Sequence, residues 1–199
     1  MNTRRYRLFL GFVSTLPLAV TAYLFFLIPP GSWLYAIVRG AGILGYFSSF
    51  FAIMASAFTR KLNKIIGKPF LPVHHLFAVA ALSLMVIHAS AYSLYMKDPG
   101  VFIPETDSLQ GFLAFGGRAA IYLFILTAAT ARFSRSIPWW KAIHTLNYIA
   151  FFLVSAHAIM IGVDFEHLPM NVLAWTMSTL VLGTLIFRRK GFPFLKKRD

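Results

Sequence analysis

Long apolar runs alternate along this chain with short polar stretches that hold most of the prolines and most of the charge. A membrane-spanning helix needs about 20 mostly apolar residues. Six stretches qualify, near 8–28, 33–58, 72–96, 110–132, 139–162 and 170–187. The breaks between them are well marked. Pro29-Pro30-Gly31 ends the first, Gly67-Lys68-Pro69 and Pro72 precede the third, and Pro138 precedes the fifth. Proline is favoured near a helix start, where its missing N–H would be unpaired anyway. The pattern predicts an all-α integral membrane protein of six transmembrane helices. It forms one domain over 1–199, with no linker, low-complexity tract or clear internal repeat.

Composition agrees with the pattern. Hydrophobic residues make up 58% of the 199 positions and charged residues only 13%, against roughly 25% charged in soluble domains. Mean hydropathy is +0.70. The first apolar run follows Arg4, Arg5 and Arg7 and has the outline of a signal peptide. Its apolar length exceeds the usual ~7–15 residues, and no A-x-A-like cleavage site follows, so it is read as a retained span. The six spans leave no room for a soluble flavin or nucleotide domain of ~100 residues. The absence of cysteine excludes disulfides, thiolate metal sites and Cys-ligated iron–sulfur clusters in this chain.

The net charge of +13 would suggest nucleic acid in a soluble protein; here its distribution sets topology, and no nucleic-acid partner is expected. Basic residues precede span one (Arg4, Arg5, Arg7) and lie between spans two and three (Arg60, Lys61, Lys64, Lys68). Others flank the turn between four and five (Arg132, Arg135, Lys141) or follow span six (Arg188, Arg189, Lys190, Lys196, Lys197, Arg198). That puts 16 of 19 on one side, while Asp98, Glu105, Asp107, Asp164 and Glu166 fall on the other. The positive-inside rule then makes both termini cytoplasmic, in a multi-pass protein of a bacterial-type inner membrane. Trp33, Trp139, Trp140 and Tyr95 fall where amphipathic rings settle at the lipid headgroups. The longest connection, Lys97 to Gln110, reads as a solvated connector or part of an acceptor-docking face.

The candidate chemistry is carried by histidine. His74 and His88 lie 14 positions apart in the third span, and His144 and His157 lie 13 apart in the fifth. A polar ring in hydrocarbon costs free energy unless it finds a partner. The two spans run in the same direction, and a rise of ~1.5 Å per residue separates the members of each pair by about 20 Å. Each of two levels therefore offers one histidine from each helix: His74 and His144 toward the inner face, His88 and His157 toward the outer. Two imidazoles facing each other are what a bis-histidine haem iron requires. Angular phase is less tidy. Fourteen positions return within ~40° of the starting direction but thirteen miss by ~140°. The second pair thus needs a change of winding, a bend, or approach from different sides. His75 rivals His74 as the inner ligand, with phase favouring His74. His167, in the loop DFEHLP, is read as solvated or near an acceptor surface.

The HH(x12)H of the third span, the H(x12)H of the fifth and the six-helix layout resemble the ferric reductase-like transmembrane domain. Ferric reductases, NADPH oxidases and the haem subunit of the periplasmic methionine sulfoxide reductase system share that domain. The resemblance covers essentially the whole chain. It implies that His74 and His144 ligate an inner haem b and that His88 and His157 ligate an outer one. The segment 139–157, WWKAIHTLNYIAFFLVSAH, is similar to the fifth helix of the sulfoxide reductase haem subunit. Members of that subfamily often carry Arg where this chain has His74, so the chain is more similar to a two-haem reductase; a single haem is the alternative.

Two arginines remain in the spans, Arg39 and Arg118. Either pairs with a propionate of the outer haem, since the guanidinium fork matches carboxylates, or snorkels to the interface. The resemblance favours the first for Arg39, which with Gly42 sits where the family often places an arginine and a glycine. Gly40 to Gly45 spells G-x-G-x-x-G, but without a preceding strand or an acid ~20 positions on it is a false dinucleotide match. These glycines, and Gly116-Gly117, permit close packing against a helix or a porphyrin.

The expected activity is transmembrane electron transfer. The donor would be a cytoplasmic flavoprotein reductase, which supplies the only flavin, or membrane quinol. The acceptor would be ferric iron, oxygen or a periplasmic partner reductase. A rival of another class is a haem-free transition-metal permease using the histidines as ligands.

Overall fold

A computed structural model describes residues 3–58 and 71–191. The basic cluster at Arg60, Lys61, Lys64 and Lys68, the break at Gly67-Lys68-Pro69, and the terminal Lys196, Lys197 and Arg198 lie outside the described residues. Every regular element among the described residues is helical. In chain order these are α1 (Thr3–Leu27), α2 (Trp33–Ala57), α3 (Leu71–Met96), α4 (Leu109–Ala114), α5 (Gly116–Arg132), α6 (Trp140–His144), α7 (Leu146–Ile161) and α8 (Leu168–Gly191). Short 3-10 turns at Pro99–Phe102 and Val163–Glu166 close two of the connections.

Local chemistry sets several boundaries. After Pro29-Pro30-Gly31, the Ser32 hydroxyl accepts the Tyr35 amide and starts α2, and Ser108 caps α4 in the same way through Gly111. At the end of α3, Lys97 adopts φ 54° and the Asp98 amide bonds back to the Ser93 carbonyl, which stops the helix.

Among the described residues, four helical segments are long and apolar enough to cross a membrane: Trp33–Ala57, Leu71–Met96, Trp140–Ile161 and Leu168–Phe187. The other two expected spans take a different form. In α1 the described apolar part is the shorter Thr15–Leu27. The 110–132 stretch is divided at Phe115, where the Arg118 amide donates to the Phe115 carbonyl at 2.9 Å and tightens the backbone, leaving α5 with 17 residues. The fifth stretch is similarly interrupted at Thr145, between α6 and α7.

The helices assemble as two antiparallel hairpins, α2 against α3 and α5 against α7, with α8 lying against α7 and α2 and α1 along α2. The apolar core sits among α2, α7 and α8. Tyr46 stacks on Phe151 with centroids 5.3 Å apart, meets Phe165 edge-on, and places its hydroxyl 3.1 Å from the Ser155 hydroxyl. Large apolar side chains cover the outside: Phe26 is 82%, Trp33 75% and Phe187 84% exposed. In α3 the apolar stretch has a mean hydropathy of 1.7 yet is only 22% buried, an exposed apolar surface that suits a membrane.

A buried ion pair locks one end of the bundle. Arg39 on α2 donates from Nε and Nη2 to the two carboxylate oxygens of Asp164, at 3.0 and 2.5 Å, with both side chains almost wholly enclosed. The same guanidinium donates to the carbonyls of Ile28 and Leu24 at the end of α1 and lies over the Phe25 ring. Three separate elements are thereby tied to one bidentate contact. Removing one partner strands a buried charge, so Asp164→Ala is expected to cost about 3–5 kcal/mol. The double variant Arg39→Met/Asp164→Leu should recover most of that loss. Unfolding in detergent, followed by helical circular dichroism, measures both.

Candidate metal centre: two histidine pairs

The structure brings the four spaced histidines together as two pairs. The His74 and His144 ring centroids are 6.2 Å apart with an interplanar angle of 72°. For His88 and His157 the values are 6.3 Å and 76°. Helix α3 supplies one ring at both levels, while α6 supplies His144 and α7 supplies His157, so α3 and the α6–α7 segment run in parallel. They make little direct backbone approach to each other: α3 is packed on α2, and α7 on α5.

Each ring is held from behind by a backbone carbonyl. His74 Nδ1 lies 2.8 Å from the Ala52 carbonyl and His88 Nδ1 2.8 Å from that of Val38, both on α2. In the second hairpin, His144 Nδ1 lies 3.3 Å from the Thr127 carbonyl and His157 Nδ1 2.8 Å from that of Ala114. A carbonyl only accepts, so Nδ1 carries the hydrogen in all four rings and Nε2 becomes the basic nitrogen. This is the arrangement in which metal-binding histidines are found: the far N–H is given to a carbonyl, which fixes tautomer and orientation.

The two hairpins use the same construction. Moving from Val38 to Ala52 along α2 matches moving from His88 back to His74 along α3. The step from Ala114 to Thr127 matches that from His157 back to His144. Spacings of 14 in one hairpin and 13 in the other are therefore each shared by ring and acceptor.

Glycine makes room for the rings. A Cβ on Gly42 would lie 2.9 Å from His88 Nδ1, and one on Gly117 would lie 3.2 Å from the His157 ring. Gly116 similarly sits against the Leu153 backbone. The small residues noted in α2 and α5 thus serve close approach to imidazoles as well as helix packing.

The awkward phase of His144 and His157 meets a winding change. At Thr145 the Tyr148 amide donates to the Thr145 carbonyl at 3.1 Å, a three-residue turn within the apolar run. Such a turn advances about 120° per residue instead of 100°. Over three residues it recovers about 60° of the mismatch.

The other nominated residues fall elsewhere. His75 is exposed, its ring 5.6 Å from that of His74. The Arg39 guanidinium is engaged by the Asp164 carboxylate and by the carbonyls of Ile28 and Leu24. Arg118 is half-buried, donates to the carbonyls of Ile103 and Gly100, and lies over Phe115. His167 lines an apolar cleft between α1 and α8 with Tyr23 and Met170.

Sequence reasoning missed Asn147 and Thr127, which bond to each other; Asn147 also donates to the His144 carbonyl, and the Thr127 carbonyl faces the His144 ring. The available signal was Asn147 itself, a carboxamide three positions after a candidate ligand in an apolar run. Among the described residues no three His, Cys, Asp or Glu side chains converge. No protein-family model matches the chain, and no curated protein matches it significantly.

In protein with isotopically labelled histidine, ring nitrogen shifts should report the Nδ1-protonated tautomer at His88 and His157. Gly42→Ala should displace the His88 ring and abolish that signature there while leaving His157 unchanged.

Proposed function

We propose that the chain is a b-type haem membrane protein that carries single electrons across the bilayer, from a cytoplasmic-side donor to an acceptor at the outer face. The one observation that carries this reading is the pair of facing imidazoles repeated at two levels, each ring anchored through Nδ1 to a neighbouring helix carbonyl. A metal–imidazole bond of about 2.0 Å on each side, plus the ring radii, puts trans imidazole centroids about 6.3 Å apart. The separations of 6.2 and 6.3 Å fit that value. The backbones of α3 and α7 make few direct contacts, which is compatible with a flat group lying between them. Zinc sites use three or four protein ligands, so two-residue sites weigh against a permease.

In this reading six transmembrane helices form the bundle, α4 and α5 together making the fourth, and both termini are cytoplasmic by the charge rule. His74 and His144 hold the inner haem, His88 and His157 the outer. Bound haem supplies a one-electron Fe(III)/Fe(II) couple. The protein's part would be to fix the four rings, to raise their basicity through the Nδ1–H bonds and to supply an apolar surrounding. Arg118, with guanidinium N–H groups beyond those spent on Ile103 and Gly100, would pair with an outer propionate. Electrons enter from a separate cytoplasmic flavoprotein or from membrane quinol, and the acceptor is ferric iron, oxygen or a partner reductase.

A reduced-minus-oxidised spectrum of purified protein, with haem counted per chain, tests the proposal. Two haems are expected, falling to one in His88→Ala and staying at two in His75→Ala. A colourless, well-folded preparation from haem-replete cells would overturn it.

A further inference from the structure

The facing rings of the outer pair stand on helices that scarcely touch. His88 belongs to α3 and His157 to α7, whose backbones make few direct contacts. A route that fixes their separation runs through α2, which packs along α3 and also meets α7. On the α3 side of that route, the Val38 carbonyl lies 2.8 Å from His88 Nδ1, and Gly42 leaves room for the ring.

On the α7 side, Arg39 and Tyr46 reach across from α2. Arg39 grips both carboxylate oxygens of Asp164, at 3.0 and 2.5 Å, and the Tyr46 hydroxyl lies 3.1 Å from that of Ser155. These contacts bracket the outer level on both helices. Arg39 directly follows Val38, and Tyr46 lies four positions beyond Gly42. Ser155 precedes His157 by two positions, and Asp164 lies in the 3-10 turn that follows α7. All four residues are buried.

The ion pair imposes the stricter geometry of the two contacts. A hydroxyl pair tolerates rotation, whereas a guanidinium fork on a carboxylate fixes distance and plane together. The fork is held from a third side by the Ile28 and Leu24 carbonyls. Stability alone does not account for such a pair, because buried ions can often be exchanged for apolar side chains without loss. What the exchange gives up is direction.

We infer that Arg39 and Asp164 are positioning residues for the outer ligand pair. Their fork fixes the outer end of α7 against α2 and so sets the spacing and tilt of His157 relative to His88. The inference rests on the haem reading given above. Both residues act through the backbones that carry Val38 and His157.

The test uses the full-length holoprotein with Arg39→Met/Asp164→Leu and, separately, Asp164→Asn. Helical unfolding in detergent, haem count, a redox titration and the low-spin electron paramagnetic resonance of each haem are measured. The resonance responds to the relative orientation of the axial rings. The outer haem is identified as the signal that disappears in His88→Ala. In the double variant, unfolding is expected near wild type and the inner haem unchanged. The outer haem should fall to half occupancy or less, with shifted potential and resonance in what remains. Asp164→Asn turns one oxygen into an N–H facing the guanidinium and breaks one arm of the fork. It should shift the same outer signal by less, and it decides the matter if the double variant does not fold. Wild-type occupancy, potential and resonance of the outer haem in either folded variant would overturn the positioning role and leave the haem reading intact. Equal shifts of both haems would also overturn it, since a general loosening of the bundle produces that result. Wild-type protein without haem would overturn the haem reading itself.

Discussion

An imidazole placed in an apolar bundle must give its N–H to an acceptor, and here the acceptors are backbone carbonyls of the neighbouring helix. A carbonyl has two lone pairs, so it can take a ring N–H without surrendering its place in the helix ladder. The bond forms only if the two helices lie close and in a fixed register. The close approach explains the glycines: Gly42 and Gly117 lie where any side chain would meet an imidazole. Register explains the matched spacing of rings and acceptors within each hairpin. The same bond dictates that Nε2 is the nitrogen available for coordination, so one constraint on burial leads directly to the chemistry proposed.

The hairpins share a plan and differ in execution. In α2 and α3 the plan runs through continuous helices. In the second hairpin both partners are interrupted, α4/α5 at Phe115 and α6/α7 at Thr145. The interruptions lie beside the carbonyl that serves His157 and beside His144 itself. The spacing of 13 therefore has a matching irregularity in its partner helix, and what looked like a poor helical phase belongs to a coordinated pair.

Much of this was legible beforehand because hydrophobic runs and prolines act locally. The helices from Trp33, Leu71 and Leu168 begin close to where the apolar pattern places them, and the histidine spacing identified the pairs that meet. The structure sets the His74 ring, and not that of the exposed His75, opposite His144. Arg39 was different. Its partner, Asp164, is 125 positions away in a loop read only as an outer acidic stretch, and no local pattern announces so distant an ion pair. The break at Phe115 and the contacts of Asn147 and Thr127 were hidden for a related reason, because they follow from a particular winding and approach of the backbones.

The division of ligands between hairpins has a consequence for assembly. Neither hairpin alone contains a facing pair, since each contributes one imidazole to each level. As the chain emerges from the ribosome, α2 and α3 are complete long before His144 and His157 exist. On the proposed reading, cofactor insertion is then a late event, and the cofactor becomes a pair of rivets joining two independently inserted halves. A nascent protein starved of it would retain both halves in the membrane but lack what clamps them together, a form suited to recognition by quality-control proteases.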